Sequence, residues 1–384
     1  MPVRAPSLRL SNDVSTGSER RQPAVSTSPA AGSPSPGRLT GLDAARALAI
    51  LGMLAVNIGP LAQSGVAGKT ISLSHGRASL LFVLLAGIGY TLLTRHARRG
   101  GALPWQQVLW RSVWLLLIGL SLQLLDHGSD VILMTYAALF LVALVFVRAP
   151  SWLLLVSTGL VAVAGPALWL LAQFGGRKFD RAPASLIDPP GQIVTSTFLT
   201  GPYPVITWLA PFLFGMWLGR RRLGERSVQL RLLMLGAVVA LGAEFGARGL
   251  EAWVGQPGDD PGWDWATSAA AHSQMPLWLV ASSGAAVFVL GLSLLVEPRL
   301  GPLGRPLVAV GQLALTVYAL HLVIIAGLIH PGPHSAADGL LATMLVALAL
   351  ATGAWAWRRY FSRGPLEALL RVQPRIPYRP RGRE

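Results

Sequence analysis

Long apolar runs separated by short polar segments fill the chain from residue 44 to residue 357. They cover 44–63, 77–94, 108–125, 131–147, 152–173, 203–219, 232–250, 277–296, 307–329 and 339–357. Each is close to the length a helix needs to cross a hydrocarbon core of ~30 Å. The pattern predicts an all-α, polytopic membrane bundle of about ten transmembrane helices. Threading the chain alternately through the runs places Arg95, Arg98, Arg99, Arg220, Arg221, Arg222, Arg226 and the arginines of 358–383 on one face. The opposite face receives Asp126, Asp130, Asp180, Asp188, Asp259, Asp260, Asp264 and Asp338. Lys and Arg stay on the cytoplasmic side during insertion. The expected location is therefore the plasma membrane, with both termini cytoplasmic. An odd number of spans would break the alternation in one half of the chain.

Three textures divide the sequence. Residues 1–37 are rich in Ser, Pro, Ala and Arg and lack an apolar period, the composition of a disordered tail. No signal-peptide core precedes Leu42. Residues 38–357 form the membrane domain. Residues 358–384 are a basic tail in which Pro365, Pro374, Pro377 and Pro380 prevent a long helix. Within it, 364–371 is predicted as a short interfacial helix.

Composition supports the membrane reading, with 52% hydrophobic and 13% charged residues. A net charge of +15 on a soluble fold would suggest nucleic acid. Here the cations sit at helix ends beside anionic headgroups, so no nucleic-acid partner is expected. With no cysteine, the chain has no disulfide, thiolate metal site or cysteine nucleophile.

Two loops on the acidic face, 174–202 and 251–276, are long enough to be functional. The second interleaves Trp253, Trp263 and Trp265 with Asp259, Asp260 and Asp264. Such a mixture suits sugar faces and hydroxyls, and equally an interfacial aromatic belt.

In the first span, Asp43 and Arg46 are one turn apart and share a helical face. They can pin the helix end, or Arg46 can meet an anionic ligand from the cytoplasm. Gly52 is a candidate close helix contact, and Asn57 lies near the far end. Among the histidines, His75, His127, His272, His330 and His334 map to the acidic face. His321 lies within the ninth span with Tyr318 one turn before it. An ionisable group inside a membrane is a functional candidate, and a neutral ring bonded to a neighbouring helix is its alternative. His330 and His334 are separated by two prolines and present no helical metal face, so no metal is expected. Pro60, Pro166, Pro204 and Pro211 are read as breaks inside spans, the last two flanking Trp208.

Several segments resemble a known family. Leu42-Asp43-x-x-Arg46, followed by Leu51-Gly52-Met53 and Val56-Asn57-Ile58, resembles the opening of the heparan-α-glucosaminide N-acetyltransferase-like proteins and their bacterial YeiB-like relatives. His75-Gly76-Arg77 with the Leu/Phe-rich run to Gly87 is similar to the second span of the bacterial branch. Tyr203-Pro204 through Trp208 to Gly215 and Gly219-Arg220, Gly311 through Thr316 and Tyr318, and Gly364-Pro365-Leu366-Glu367 are similar to three later elements.

The resemblance implies a membrane acyltransferase that moves an acetyl group from cytoplasmic acetyl-CoA, or another acyl-CoA, to an extracytoplasmic sugar or envelope acceptor. It implies a loop histidine before the second span as the central residue. The only histidine in the loop 57–76 is His75, nearer the position where relatives carry an acidic residue. His75 is therefore the expected base and His321 the reserve. Asp43, Arg46, Asn57, Arg77, Trp208 and Tyr318 are the expected substrate- and coenzyme-binding residues. The expected partners are the lipid bilayer, acyl-CoA and an extracytoplasmic glycan or similar acceptor, with a homo-oligomer left open. The alternative is a transporter without covalent chemistry, for which the halves would show an inverted repeat. None is evident, and the main mid-span charges, Glu244 and Arg248, are spaced to pair with each other.

Overall fold

The computed structural model describes residues 38–60, 65–174, 181–258 and 261–371. The expectations for 1–37 and 372–384, and those for Asp180, Asp259 and Asp260, lie outside these residues. The described chain is helical, in the order α1 (Thr40–Ile58), α2 (Gly65–Ser74), α3 (Arg77–Leu93), α4 (Arg95–Arg98), α5 (Trp105–Leu122), α6 (Leu133–Val142), α7 (Ser151–Phe174) and α8 (Pro190–Thr195). It continues with α9 (Val205–Leu218), α10 (Arg226–Val254), α11 (Pro276–Leu300), α12 (Arg305–Gln312), α13 (Ala314–Ile324), α14 (Ala336–Tyr360) and α15 (Pro365–Leu369).

All ten apolar runs fall on helices, and six helical stretches are long and apolar enough to cross a membrane. These are Thr40–Ile58, Gly65–Leu93, Ser151–Gln173, Arg226–Val254, Pro276–Gln312 and Ala336–Tyr360. The remaining runs fall short for local reasons. The 131–147 run tightens into a 3₁₀ turn at Ala143–Phe146. The 203–219 run starts its helix only after Pro204 and ends at Gly219. The 307–329 run is broken at Leu313, between α12 and α13. Helix α5 opens with the polar Gln106, Gln107 and Arg111.

The bundle has an inner and an outer set of helices. The stretches through α1, α2–α3 and α11–α12 are mostly buried, whereas α7, α10 and α14 are mostly exposed. The exposed side chains are apolar, among them Leu160, Val163, Leu235, Val238, Leu345 and Leu348. An apolar outer surface of this extent, around an apolar core, is that of a helical membrane bundle. Inside it, α3 and α9 meet backbone to backbone. A Cβ on Gly87 would strike the Phe212 carbonyl oxygen, and one on Gly215 would strike that of Leu84. Only glycine permits this approach.

Three sequence expectations need correction. The 57–76 stretch contains α2 rather than an open loop. Its hydroxyls bond back one turn, Thr70 to the Val66 carbonyl and Ser72 to that of Gly68, so they do not break the helix. Pro60 follows the end of α1 and Pro204 precedes α9, so only Pro166 and Pro211 of the four lie inside helices. The 174–202 stretch carries α8 and a π-helical turn at Ser196–Thr200.

Candidate active site

A partly open chamber of about 180 Å³ lies at the end of the bundle away from Arg38 and Arg371. Helix α1 contributes Asn57 from its last turn, and the α2–α3 turn contributes His75. Asp130 comes from the α5–α6 loop, Tyr203 from the approach to α9, His272 from the loop before α11, and Tyr318 from α13. Gly76 makes the turn at His75. Its φ of 71° is left-handed, and a Cβ there would come within 3.2 Å of the Trp278 ring.

The wall opposite His75 is built with unusual backbone. His272 and Gln274 have φ of 58° and 65°, a region non-glycine residues seldom occupy. Such a conformation costs about 1–3 kcal/mol and persists only when its surroundings enforce it. Gln274 does so. Its Oε1 accepts from Thr207 Oγ1 at 2.8 Å and Trp208 Nε1 at 3.0 Å, and its Nε2 donates to the Pro202 carbonyl at 3.0 Å. The result holds the His272 ring against Tyr203, Trp208 and Trp278, with its centroid 5.1 Å from that of His75.

This setting fixes the state of His272. Burial, with a smaller contribution from neighbouring His75, pushes its pKa down to about 3, so the ring is neutral at physiological pH. Desolvation acts oppositely on Asp130 and raises its carboxyl to about 6. Asp130 keeps a solvent-exposed side at the chamber rim.

Helix α13 is positioned from its other end. Glu367 Oε1 accepts from the Leu315 and Thr316 amides at 2.8 and 3.0 Å, and Oε2 accepts from Thr316 Oγ1 at 2.6 Å. A carboxylate on free amides at a helix start is a favourable cap. The short helix expected at 364–371 exists as α15, and it supplies this carboxylate. Further along α13, Tyr318 Oη accepts from the Ile132 amide at 3.2 Å. The Tyr318 ring lies edge-on to His321, with centroids 5.0 Å apart.

The predicted residues divide into three places. His75, Asn57 and Tyr318 line the chamber. His321 is fully buried behind Asn57, whose Nδ2 is 3.3 Å from His321 Nε2. Trp208 stands in the wall behind His272. Arg77 points out of the chamber and donates to Glu244 Oε2 at 3.0 Å, while Arg248 donates to Glu244 Oε1 at 3.1 Å. The expected Glu244–Arg248 pair is thus present and shared with Arg77.

At the other end, Asp43 is held by two arginines. Arg46 Nη1 donates at 2.6 Å, and Arg38 donates through Nε at 2.8 Å and Nη2 at 3.1 Å. Beside them lies a basic pocket of about 450 Å³ lined by Arg38, Arg111, Arg358, Arg363, Arg371 and Glu367. Partial burial, together with the charges of Arg363 and Arg38, lowers the pKa of Arg371 from its ordinary value. An anion entering this pocket relieves that repulsion.

The profile of a family described as an acyltransferase domain matches residues 39–358. The chain belongs to this acyltransferase family. No curated protein matches it. The matched stretch takes in every chamber residue and the Asp43–Arg46 pair, while the capping Glu367 of α15 lies just past it.

The sequence singled out His75, Asn57 and Tyr318 but not Asp130, and it counted His272 without assigning it a role. Both sit on loops whose approach to the chamber depends on tertiary structure. His272 carried one usable signal, its place in a long loop just ahead of the Pro276 that opens α11.

Proposed function

We propose that the acyltransferase domain moves an acyl group, acetyl in the simplest case, from cytoplasmic acyl-CoA to an exported sugar or cell-envelope acceptor. The reading includes ten spans in the plasma membrane, both termini in the cytoplasm and the chamber opening outward. It also places the chain near the heparan-α-glucosaminide N-acetyltransferase-like branch. The observation that carries it is the convergence of His75, His272, Asn57 and Tyr318 on one small chamber.

In this scheme the coenzyme's phosphates rest on the arginine pocket, with Arg46 and Asp43 between that pocket and the bundle interior. The 14 residues from Asp43 to Asn57 correspond to about 21 Å of helix. The pantetheine arm has to cover that distance along α1. Its thioester carbonyl then meets the acceptor in the chamber.

His75 takes the proton from the acceptor's hydroxyl or ammonium-derived amine as its oxygen or nitrogen bonds to the carbonyl carbon. Asn57 has a second amide hydrogen, beyond the one directed at His321, for the developing oxyanion. Collapse breaks the carbon–sulfur bond, and the thiolate recovers the proton from His75 as free coenzyme A. His272, neutral, packs its ring beside that of His75 in the chamber wall. Asp130 binds acceptor hydroxyls or an ammonium at the rim.

The test is transfer of radiolabelled acetyl from acetyl-CoA to glucosamine in proteoliposomes, with donor and acceptor on opposite sides. Label on the amino sugar is the expected result. Movement of unmodified sugar without acylation would replace this reading by transport.

A further inference from the structure

Beside the chamber, an open groove of about 650 Å³ runs along the outside of the bundle. Its floor is the small-residue face of α11, with Ala281, Ala285 and Ala286. One wall is α10, through Ala240, Leu241 and Phe245, and the other is α1 to α3, through Leu48, Gly52 and Leu81. Leu48, Leu241 and Phe245 are exposed at the rim, so the groove opens onto the apolar exterior. Its polar end is the clasp in which Arg77 of α3 and Arg248 of α10 share the single carboxylate of Glu244.

Two further relations place this groove. Ser74 and Ala78 line both groove and chamber. Glu244 and Arg248 also line a vestibule of about 600 Å³, which reaches His272 and carries Trp265, Arg181 and Glu251. Groove, vestibule and chamber therefore meet around the clasp and the His75–His272 pair.

We propose that the groove holds a lipid-anchored acceptor, with one apolar chain along α11, an anionic phosphate head on the clasp, and the group to be acylated turned into the chamber. This deepens the acyl-transfer reading and rests on it. The charge balance selects the head. Two guanidiniums against one carboxylate leave one positive charge at the polar end, and both arginines keep donors beyond those given to Glu244. The vestibule carries one charge of each sign, on Arg181 and Glu251. A phosphate on the clasp gains charge-assisted hydrogen bonds that a neutral head does not. The chain replaces loose lipid in the groove, so the head rather than the chain supplies the selectivity. The shared Ser74–Ala78 lining then sets the length between head and reactive group, because the chamber begins where the clasp ends.

The experiment uses the full chain in proteoliposomes with two acceptors, free glucosamine and a glucosamine joined through phosphate to a long alkyl chain. Ala285→Trp fills the floor without touching the chamber. Transfer to the chain-bearing acceptor should fall more than about tenfold, with transfer to free glucosamine within about twofold of the unaltered protein. Equal losses on both acceptors, or none on either, would overturn the proposal. Should Ala285→Trp fail to fold, Ala240→Leu narrows the groove from its α10 wall. A second measurement needs no turnover: an alkyl phosphate with a diazirine in its chain should label α10 and α11 inside the groove. Excess alkyl phosphate should compete and phosphatidylcholine should not. Even labelling over the exposed faces of α7 and α14 would remove the groove from consideration. Groove labelling without transfer to any acceptor would leave the lipid site standing and defeat the acyl-transfer reading. Transfer to free glucosamine without groove labelling would do the reverse.

Discussion

The side-chain amide of Asn57 lies 3.3 Å from Nε2 of His321, tying the end of α1 to the last turn of α13 directly behind the chamber. His321 is fully buried. Asn57 thus has one hand on a hidden imidazole and one on the reaction space. In the proposed transfer, His321 acts through Asn57 and His75 stands at the front.

Removing Asn57 should therefore be felt in stability as well as rate. Asn57→Ala leaves a buried imidazole nitrogen unpaired, at a cost of about 1–3 kcal/mol. Thermal unfolding in detergent should shift down accordingly. Pairing it with His321→Phe should recover part of the loss, since both polar groups are then gone. Strict additivity of the two substitutions in a double-mutant cycle would show that the contact carries no energy.

His75→Ala should lower transfer by about 10²–10⁴, the usual worth of a positioned acid–base group, with thermal stability little changed. His321→Phe should lower it less, because its effect passes through Asn57. Normal turnover in His75→Ala would exclude it as the base.

In the proposed transfer, Asp130 should give the reaction an acidic limb. Its carboxyl is raised to about 6 by desolvation, so the ionised form that binds an acceptor grows in as pH rises through that value. The acceptor-dependent kcat/KM should rise over the same window, and Asp130→Asn should flatten it. The sign for stability is opposite. A carboxyl raised on folding stabilises most below its ordinary value, and that contribution is lost as pH climbs through about 6. A limb that persists unchanged in Asp130→Asn belongs to another group.

Helix positions and the Asp43–Arg46 pair were legible because periodicity and one-turn spacing are local properties. Arg77 shows where local reading stops. Its place two residues after His75 suggested a shared task, yet the left-handed Gly76 turns the chain between them, and Glu244, 167 positions away, draws Arg77 into the groove. The 57–76 stretch misled for a related reason: its Gly, Ser and Thr content suggests a loop, while hydroxyl-to-carbonyl bonds let α2 form. His272 was counted as a loop histidine. Its role depends on Gln274 reaching α9, a contact that no sequence spacing encodes.

The absence of native cysteine makes topology directly testable. Gln256 lines the vestibule and is exposed, as is Ser362 at the arginine-rich end. Ser268 in the same long loop is buried and would be a poor reporter. A membrane-impermeant maleimide should label Gln256→Cys in intact cells and Ser362→Cys only after permeabilisation. The opposite pattern would invert the bundle and with it the assignment of donor and acceptor sides.

The arginine pocket separates coenzyme binding from chemistry. Arg363→Gln with Arg371→Gln removes two of its five arginines without touching Asp43, the chamber or the Glu367 cap on α13. If coenzyme phosphates rest there, the Michaelis constant for acetyl-CoA should rise roughly tenfold or more, as expected for losing hydrogen bonds to charged groups, while kcat holds. Added salt should raise the constant in the unaltered protein and do so less in the variant, because fewer charges remain to be screened. Arg46→Gln is the contrasting case. It takes one of two partners from a buried carboxylate, so lower stability should accompany any change in binding. A raised constant in the double variant with none in Arg46→Gln would place the phosphates wholly in the pocket. The converse would move them inward to the Asp43 pair. An unchanged constant in both would remove the coenzyme from this end of the bundle.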